Sequence, residues 1–290
     1  MQALTISIVN YNAGDYLLKC LQSIEEVKGE AQISVVVLDN ASSDGSIEKA
    51  KQKYTDVKFI ETGANLGFGK AHNLLLKKLQ TEYVLILNPD TELEKGVLTK
   101  TLGYMEENPD VGMLTCKVIL PDGTVDLTAH RGLPTPWASF LYYAFKNDSL
   151  YHLTGRNTQE PHEVDAISGS FMLTRKSVLD KVGVFDEDYF MFAEDIDLSF
   201  RIKEAGYKVI YFPGAQILHH KGVSTGLKKH SQSVSSASVE TKKRSLDNFY
   251  STMKVFYKKH LEEKYPFFVN WFVYLGINVK WFLAKRSLTV

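Results

Sequence analysis

Several short polar groups in this chain have the residue types and the placement to do chemistry, because each stands directly beside an apolar run. In Tyr83-Val-Leu-Ile-Leu-Asn88-Pro89-Asp90, a stretch that reads as a buried strand ends in an amide, a proline and an acid. Proline has no N–H to give to a ladder, so Asp90 is expected just past the strand, where open α/β sheets bind their ligands. A carboxylate there suits a hard divalent cation, and Mg²⁺ is usually held by one or two carboxylates together with substrate phosphates. The same residues also read as a polar turn that opens a helix capped by Asp90 or Thr91.

In Phe190-Met-Phe-Ala-Glu194-Asp195-Ile-Asp197, three acids follow aromatic residues at the start of a helix. One acid would serve as cap and dipole partner, so three imply that at least one faces a pocket. In Ile217-Leu-His219-His220, adjacent histidines in an extended segment point to opposite faces, which allows one to turn inward and ligate a metal. Gly63-Ala-Asn65-Leu-Gly67-Phe-Gly69-Lys-Ala-His-Asn73 runs three glycines into a helix. Such a loop permits close backbone approach and favours phosphate, although its spacing matches neither the dinucleotide fingerprint nor the Walker loop. Asn10-Tyr11-Asn12 and Asp39-Asn40-Ala-Ser-Ser-Asp44-Gly-Ser46 end two further apolar runs. Asp39 there can accept hydrogen bonds from a base or sugar, and each group taken singly is also ordinary turn and cap chemistry.

The elements that must position these groups alternate. Residues 4–9, 33–38, 57–60 and 83–87 read as strands. Residues 46–54 and 71–79 read as helices, as does a segment capped by Asp15 in which Leu17, Leu21, Ile24 and Val27 recur at helical spacing. This is the pattern of a doubly wound nucleotide-binding half. A strand at 111–120 follows, then an aperiodic stretch at 124–163, a regular segment at 164–174, and helices at 176–182 and up to Gly206. The last core strand is expected at 208–212, closed by Pro213-Gly214.

Lys plus Arg and Asp plus Glu number 34 each among 290 residues, so no overall basic field argues for nucleic acid. Cys20 and Cys116 sit in apolar patterns without metal-ligand spacing and read as buried free thiols, which favours a cytoplasmic setting. The N-terminus enters a strand at once, so no signal peptide is expected.

Together these residues resemble the family 2 glycosyltransferases, inverting enzymes that use nucleotide-diphosphate sugars. The resemblance spans about residues 4–225 and rests on Val-Asn-Tyr-Asn, Leu-Asp-Asn-Ala-Ser-Ser-Asp-Gly-Ser, Asn-Leu-Gly-Phe, Leu-Asn-Pro-Asp, Ser-Gly-Ser-Phe-Met-Leu, Gly-Val-Phe-Asp-Glu, Phe-Ala-Glu-Asp-Ile-Asp-Leu and His219. Within the family the chain is most similar to rhamnosyltransferase-like bacterial members that build surface polysaccharide. The resemblance implies a GT-A, Rossmann-like α/β fold: a mixed central sheet with flanking helices and a C-terminal helical extension. It implies that Asn10, Tyr11, Asn12 and Asp39 hold the donor nucleoside, and that Asn65, Gly67, Asn73 and Asn88 line the nucleotide-sugar pocket. Asp90 would bind Mg²⁺ or Mn²⁺ with His219 completing the site, Gly169 and Ser170 would line the acceptor or sugar site, and Asp195 would be the general base. Glu194 would orient that site and Asp197 would cap the helix. The first acid of the family's Asp-x-Asp metal motif is Asn88 here, which removes one formal charge.

Two rivals remain. A sugar-nucleotidyltransferase needs a glycine-rich, Arg-containing loop after strand one, and Val9-Asn-Tyr-Asn12 offers none. A non-catalytic nucleotide-sugar-binding scaffold leaves Asp90, Asp195 and His219 without a task.

The chain thus divides into a glycosyltransferase domain at 1–225 and an extension at 226–290. Residues 226–245 read as a polar loop, either a linker or a lid that closes over donor phosphates with Lys228 and Lys229. Residues 266–283 are aromatic, and Asn270, Asn278 and Lys280 argue against a membrane-spanning helix. Two uses are expected of it: packing on the domain or on a partner, a homodimer included, or an interfacial helix at the inner face of the plasma membrane. The expected small and large partners are a nucleotide-sugar donor and a glycan or lipid-linked acceptor.

Overall fold

The computed structural model describes residues 3–221 and 239–288. The expected alternation comes first: β1 (Ala3–Asn10), α1 (Asp15–Glu26), β2 (Gln32–Asp39), α2 (Ser46–Lys53), β3 (Lys58–Glu61), α3 (Phe68–Leu76) and β4 (Tyr83–Leu87). Then follow β5 (Thr91–Leu93), α4 (Val97–Glu107), β6 (Val111–Ile119), β7 (His130–Arg131), α5 (Pro136–Phe145), β8 (His162–Glu163) and β9 (Ala166–Ile167). The chain ends with β10 (Phe171–Arg175), α6 (Lys176–Val182), α7 (Glu194–Glu204), β11 (Lys208–His219), α8 (Val239–His260) and α9 (Phe267–Leu288).

Among the described residues the main sheet runs β3-β2-β1-β4-β10-β6-β11-β5, with β8 added on β11. β1 lies parallel to both β2 and β4, so three strand ends reach the same edge. β10 is antiparallel to β4 and brings its first residue, Phe171, opposite Leu87. That mixed arrangement with helices around it is the α/β GT-A architecture. β4 shows why the sheet is stable: all five residues are buried, Tyr83, Leu85 and Leu87 in one core and Val84 and Ile86 in the other. Burying each such side chain stabilises by about 1.5–3 kcal/mol, an upper estimate because the unfolded chain is partly compact.

Four local expectations need correction. Asp15 is the first residue of α1, and the cap position belongs to Gly14, which has no side chain to cap with. α3 begins at Phe68, directly after Gly67, three residues before the expected start, and ends at Leu76. Asp90-Thr91 opens no helix: Thr91 begins β5, which pairs antiparallel with the end of β11. β11 does not stop at Phe212, because a register shift between Phe212 and Gln216 absorbs Pro213-Gly214 as a bulge and the strand continues to His219.

The polar stretch 226–245 is helical from Val239 on, and the lid residues Lys228 and Lys229 lie outside the described residues. α8 and α9 form a helical hairpin. Phe256 and Tyr257 of α8, and Leu261 just after it, bury themselves with Tyr189, Ile196 and Phe200 on or next to α7.

Candidate active site

The first layer of the site is a set of loop ties at the carboxyl ends of β1 and β2. Asn10 is fully buried, and its amide N–H groups donate to Asp39 Oδ1 at 3.0 Å, Ser42 Oγ at 2.9 Å and Ser46 Oγ at 3.0 Å. Its Oδ1 is buried without a partner. Asp39 takes a second bond at Oδ2 from the Ser42 N–H. Asn12 sits in left-handed backbone at φ 51°, accepting from the Ser43 N–H and donating its own N–H to Ser42 Oγ. Tyr11, between them, is half-buried. Asn40 ties in the glycine loop, donating from Nδ2 to Gly67 O at 2.9 Å.

In the glycine loop the residues do more structural work than expected. Asn65 Oδ1 accepts from the Gly67 N–H at 3.0 Å. A Cβ on Gly67 would sit 2.1 Å from Phe190 O, and its φ is +84°, so the glycine serves close approach to the Phe190 segment as much as to any ligand. The Phe68 N–H completes that contact by donating to Phe190 O at 3.0 Å. Asn73 is buried, and both ends of its amide are bound to the Phe185 backbone, at 2.8 and 3.1 Å, which pins that loop to α3.

The β5 and β11 ladder, in which Thr91 pairs with His219, brings His219 beside the turn at Pro89-Asp90, and there Asp90 and His219 meet. Both are buried, with Asp90 Oδ1 and His219 Nε2 3.2 Å apart. Burial alone would raise the Asp90 pKa, but the His219 and His220 imidazoles and a hydrogen bond from its own backbone bring it below the usual carboxylate range. His219 Nδ1 is buried without a partner. His220 takes the other face, 2.6 Å from Glu92 Oε1, as the alternation of an extended strand requires. Asn88 donates its N–H to Ser170 O at 3.5 Å, which sets Gly169 and Ser170 beside the end of β4. The Ser170 hydroxyl is 2.7 Å from that of Ser168.

A carboxylate oxygen and an imidazole nitrogen on one six-coordinate ion at ~2.1 Å would stand about 3 Å apart, so the Asp90 and His219 donors fit a shared Mg²⁺ or Mn²⁺. Among the described residues no group of three or more acids, histidines or cysteines is placed to hold a metal. Any such ion would therefore take its other ligands from water and donor phosphates.

The acidic group lies at the start of α7. Phe192 and Ala193 both adopt left-handed backbone, at φ 73° and 67°, immediately before Glu194. Two consecutive side-chain-bearing residues there are strained, and the strain is held by the Gly67 contact at Phe190. Asp195 accepts at Oδ1 from the Ile196 N–H at 2.8 Å, and its Oδ2 lies 3.5 Å from the Arg131 guanidinium. Glu194 is buried, and its Oε2 has no partner. Burial first, and then the neighbouring Asp195 charge, push its pKa up to about 8. Asp197 does not cap the helix. It is buried between Arg201, at 2.7 Å, and His260 Nε2 of α8, at 2.6 Å, and so fastens the extension to the domain.

Arg131 was not legible as a site residue, since the stretch around it has no period and its partner lies far along the chain. The segment 166–170 joins the two halves of the site: Ile167 N–H donates to Ser199 Oγ on α7, and Ser170 reaches Asn88.

A sheet edge with tied polar loops, a carboxylate and imidazole pair at one end and a paired acidic helix start at the other has the parts of a sugar-transfer site of the GT-A kind. The chain belongs to glycosyl transferase family 2, whose model matches residues 5–183. It is 33% identical to the N-acetylglucosaminyl-diphospho-decaprenol L-rhamnosyltransferase of Mycobacterium tuberculosis, over 77% of this chain and 78% of that protein. It is 28% identical to the rhamnosyltransferase WbbL of Escherichia coli K12, over 74% of this chain and 82% of the other. Among solved structures it resembles GalNAc-T7 with UDP, GalNAc and Mn²⁺ at a TM-score of 0.58 and 15% identity, covering 76% of this chain and 44% of that one. A mannosyltransferase from Pyrobaculum calidifontis with GDP-Man and Mn²⁺ matches at 0.55 and 18% identity, over 87% and 64% of the two chains. These structural likenesses bear on the fold.

Proposed function

We propose that this glycosyltransferase moves L-rhamnose, with inversion, from a dTDP- or UDP-sugar to a hydroxyl of a glycan or lipid-linked acceptor during surface polysaccharide synthesis at the cytoplasmic face of the membrane. The observation that carries the donor half is the meeting of Asp90 and His219, 129 residues apart, at 3.2 Å beside the end of β4. The relatives' rhamnosyl transfer supports the sugar.

Asp90 and His219 would hold one Mg²⁺ or Mn²⁺, which when bound neutralises charge on a leaving diphosphate. Asn10, Tyr11, Asn12 and Asp39 hold the nucleoside, with Asn65, Gly67 and Asn88 along the sugar-phosphate path and Gly169 and Ser170 at the acceptor side. The acceptor hydroxyl attacks C1 of the sugar and gives its proton to Asp195, while the C1–O bond to the diphosphate breaks. Arg131 and the Ile196 N–H hold both oxygens of Asp195 in place. A neutral Glu194 beside it leaves one negative charge for one guanidinium.

The test is the melting temperature against a panel of nucleoside diphosphates and their sugars, with and without Mn²⁺, because a ligand of the folded state raises it. A rise with dTDP or UDP that Mn²⁺ enlarges is the expected result. No shift with any nucleotide would overturn the donor assignment.

A further inference from the structure

The two helices with the most exposed apolar surface are far apart in sequence and adjacent in space. On α5, Trp137, Phe140, Tyr143 and Phe145 are exposed, Trp137 stacks on Phe140 with ring centroids 5.7 Å apart, and only Ala138 is buried. On α9, Phe268, Trp271, Phe272, Leu275, Val279 and Phe282 are exposed at helical spacing. The Lys280 ammonium lies 4.1 Å from the centre of the Tyr143 ring, so the two apolar surfaces abut.

α9 is apolar nearly all round, and its few polar groups are tied to the neighbouring helix. Asn270 bonds Tyr257, Tyr274 bonds Glu262, Asn278 bonds Lys254 and Trp281 bonds Asp247, all on or next to α8, and Ile277 is buried. Most of its large apolar side chains are exposed. Phe267–Ser287 is long and apolar enough to cross a membrane by length and composition. Crossing, however, would draw Asp247, Lys254 and Glu262 into hydrocarbon along the whole helix, which is strongly unfavourable. Lying in the interface buries the exposed apolar side chains and leaves α8 in water.

Charge indicates which surface fits. Neither α5 nor α9 carries an acid, whereas Lys146, Lys280, Arg286 and Lys285, the last paired with Asp247, stand on or beside them. Aromatic rings bordered by cations suit the headgroup layer of an anionic bilayer. The platform also has a fixed relation to the chemistry, because α5 starts five residues after Arg131, the partner of Asp195.

We infer that α5 and α9 form one lipid-facing platform on which the protein lies at the surface of an anionic bilayer, with the Asp195 end of the site beside acceptors carried in that bilayer. The binding stands on the platform alone, and only the presentation of an acceptor rests on the proposed function.

The test is co-sedimentation of the full chain with phosphatidylcholine vesicles, with and without phosphatidylglycerol. Two double variants, Trp137→Ser with Phe140→Ser on α5 and Trp271→Ser with Phe272→Ser on α9, replace residues already in solvent. Binding that needs the anionic lipid and falls about tenfold or more in each variant, with melting temperature kept, is expected. Loss in the α9 variant with unchanged binding in the α5 variant would overturn the joint platform in favour of a single anchor. Resistance to alkaline carbonate would overturn the in-plane placement. A wild-type dimer by light scattering that ignores vesicles and becomes monomeric in either variant would assign the surface to a second copy. The nucleotide-induced melting shift, measured on the same variants, separates failure here from failure of the donor reading.

Discussion

At one end of the site Asp90 and His219 are set by a strand ladder, while at the other Glu194 and Asp195 follow two residues held in left-handed backbone. The first pair meets through the β5 and β11 ladder and the short turn at Pro89-Asp90 that leads into it, and its two donors face each other directly. The second is assembled from three separate parts: the start of α7, Arg131 of β7, and the glycine loop whose close approach at Phe190 fixes the turn. The ladder end suits a fixed ligand geometry for an ion. The loop-built end sets Asp195 against Arg131 and next to Glu194, whose carboxyl burial pushes toward the neutral form. Breaking each end should therefore give a different loss.

The largest effect belongs to Asp195. Asp195→Asn keeps the shape and the Ile196 contact but removes the proton acceptor, so turnover should fall about 10²–10⁴-fold while the donor-induced melting shift persists. A variant with near-normal turnover would move the base elsewhere. At the ladder end, Asp90→Ala and His219→Ala should each reduce the Mn²⁺-dependent part of donor binding by about tenfold or more. The double variant should lose little beyond the worse single one, since both act through one ion. Additive losses would mean that the two residues do separate tasks.

The ladder end was legible because strand termini announce themselves. Residues 83–87 are an unbroken apolar run, Pro89 ends it, and the acid that follows has nowhere to go but the sheet edge. His219 was legible as a motif but not as an element, since Pro213-Gly214 reads as a stop and a bulge carried the strand on. The tie from Asn73 to Phe185 was not legible, because an amide in a glycine-rich motif gives no sign of a loop partner 112 residues away. Arg131 and the exposed α5 were lost together in the aperiodic stretch, where function is set by long-range contacts and surface placement instead of by local pattern. Asp197 looked like one more cap, and only its burial between Arg201 and His260 shows it as a fastener.

The smallest effect sharpens the comparison through pH. Asp90, with its pKa held down, contributes stability that is present above its unfolded pKa and lost as pH falls. Glu194 has the opposite sign. Its pKa rises from 4.5 to about 8 on folding, so the folded state favours the proton. Its share of stability is complete below the unfolded value and is lost as pH climbs from about 4.5 through about 8. Gln cannot ionise, so Glu194→Gln should match the native protein near pH 5 and melt higher than it at pH 9, by about 3 °C or more. Melting curves measured from pH 5 to 9 in EDTA check this. Parallel curves for the two proteins would show that Glu194 ionises as freely as an exposed acid, and the case for one negative charge beside Arg131 would go with it.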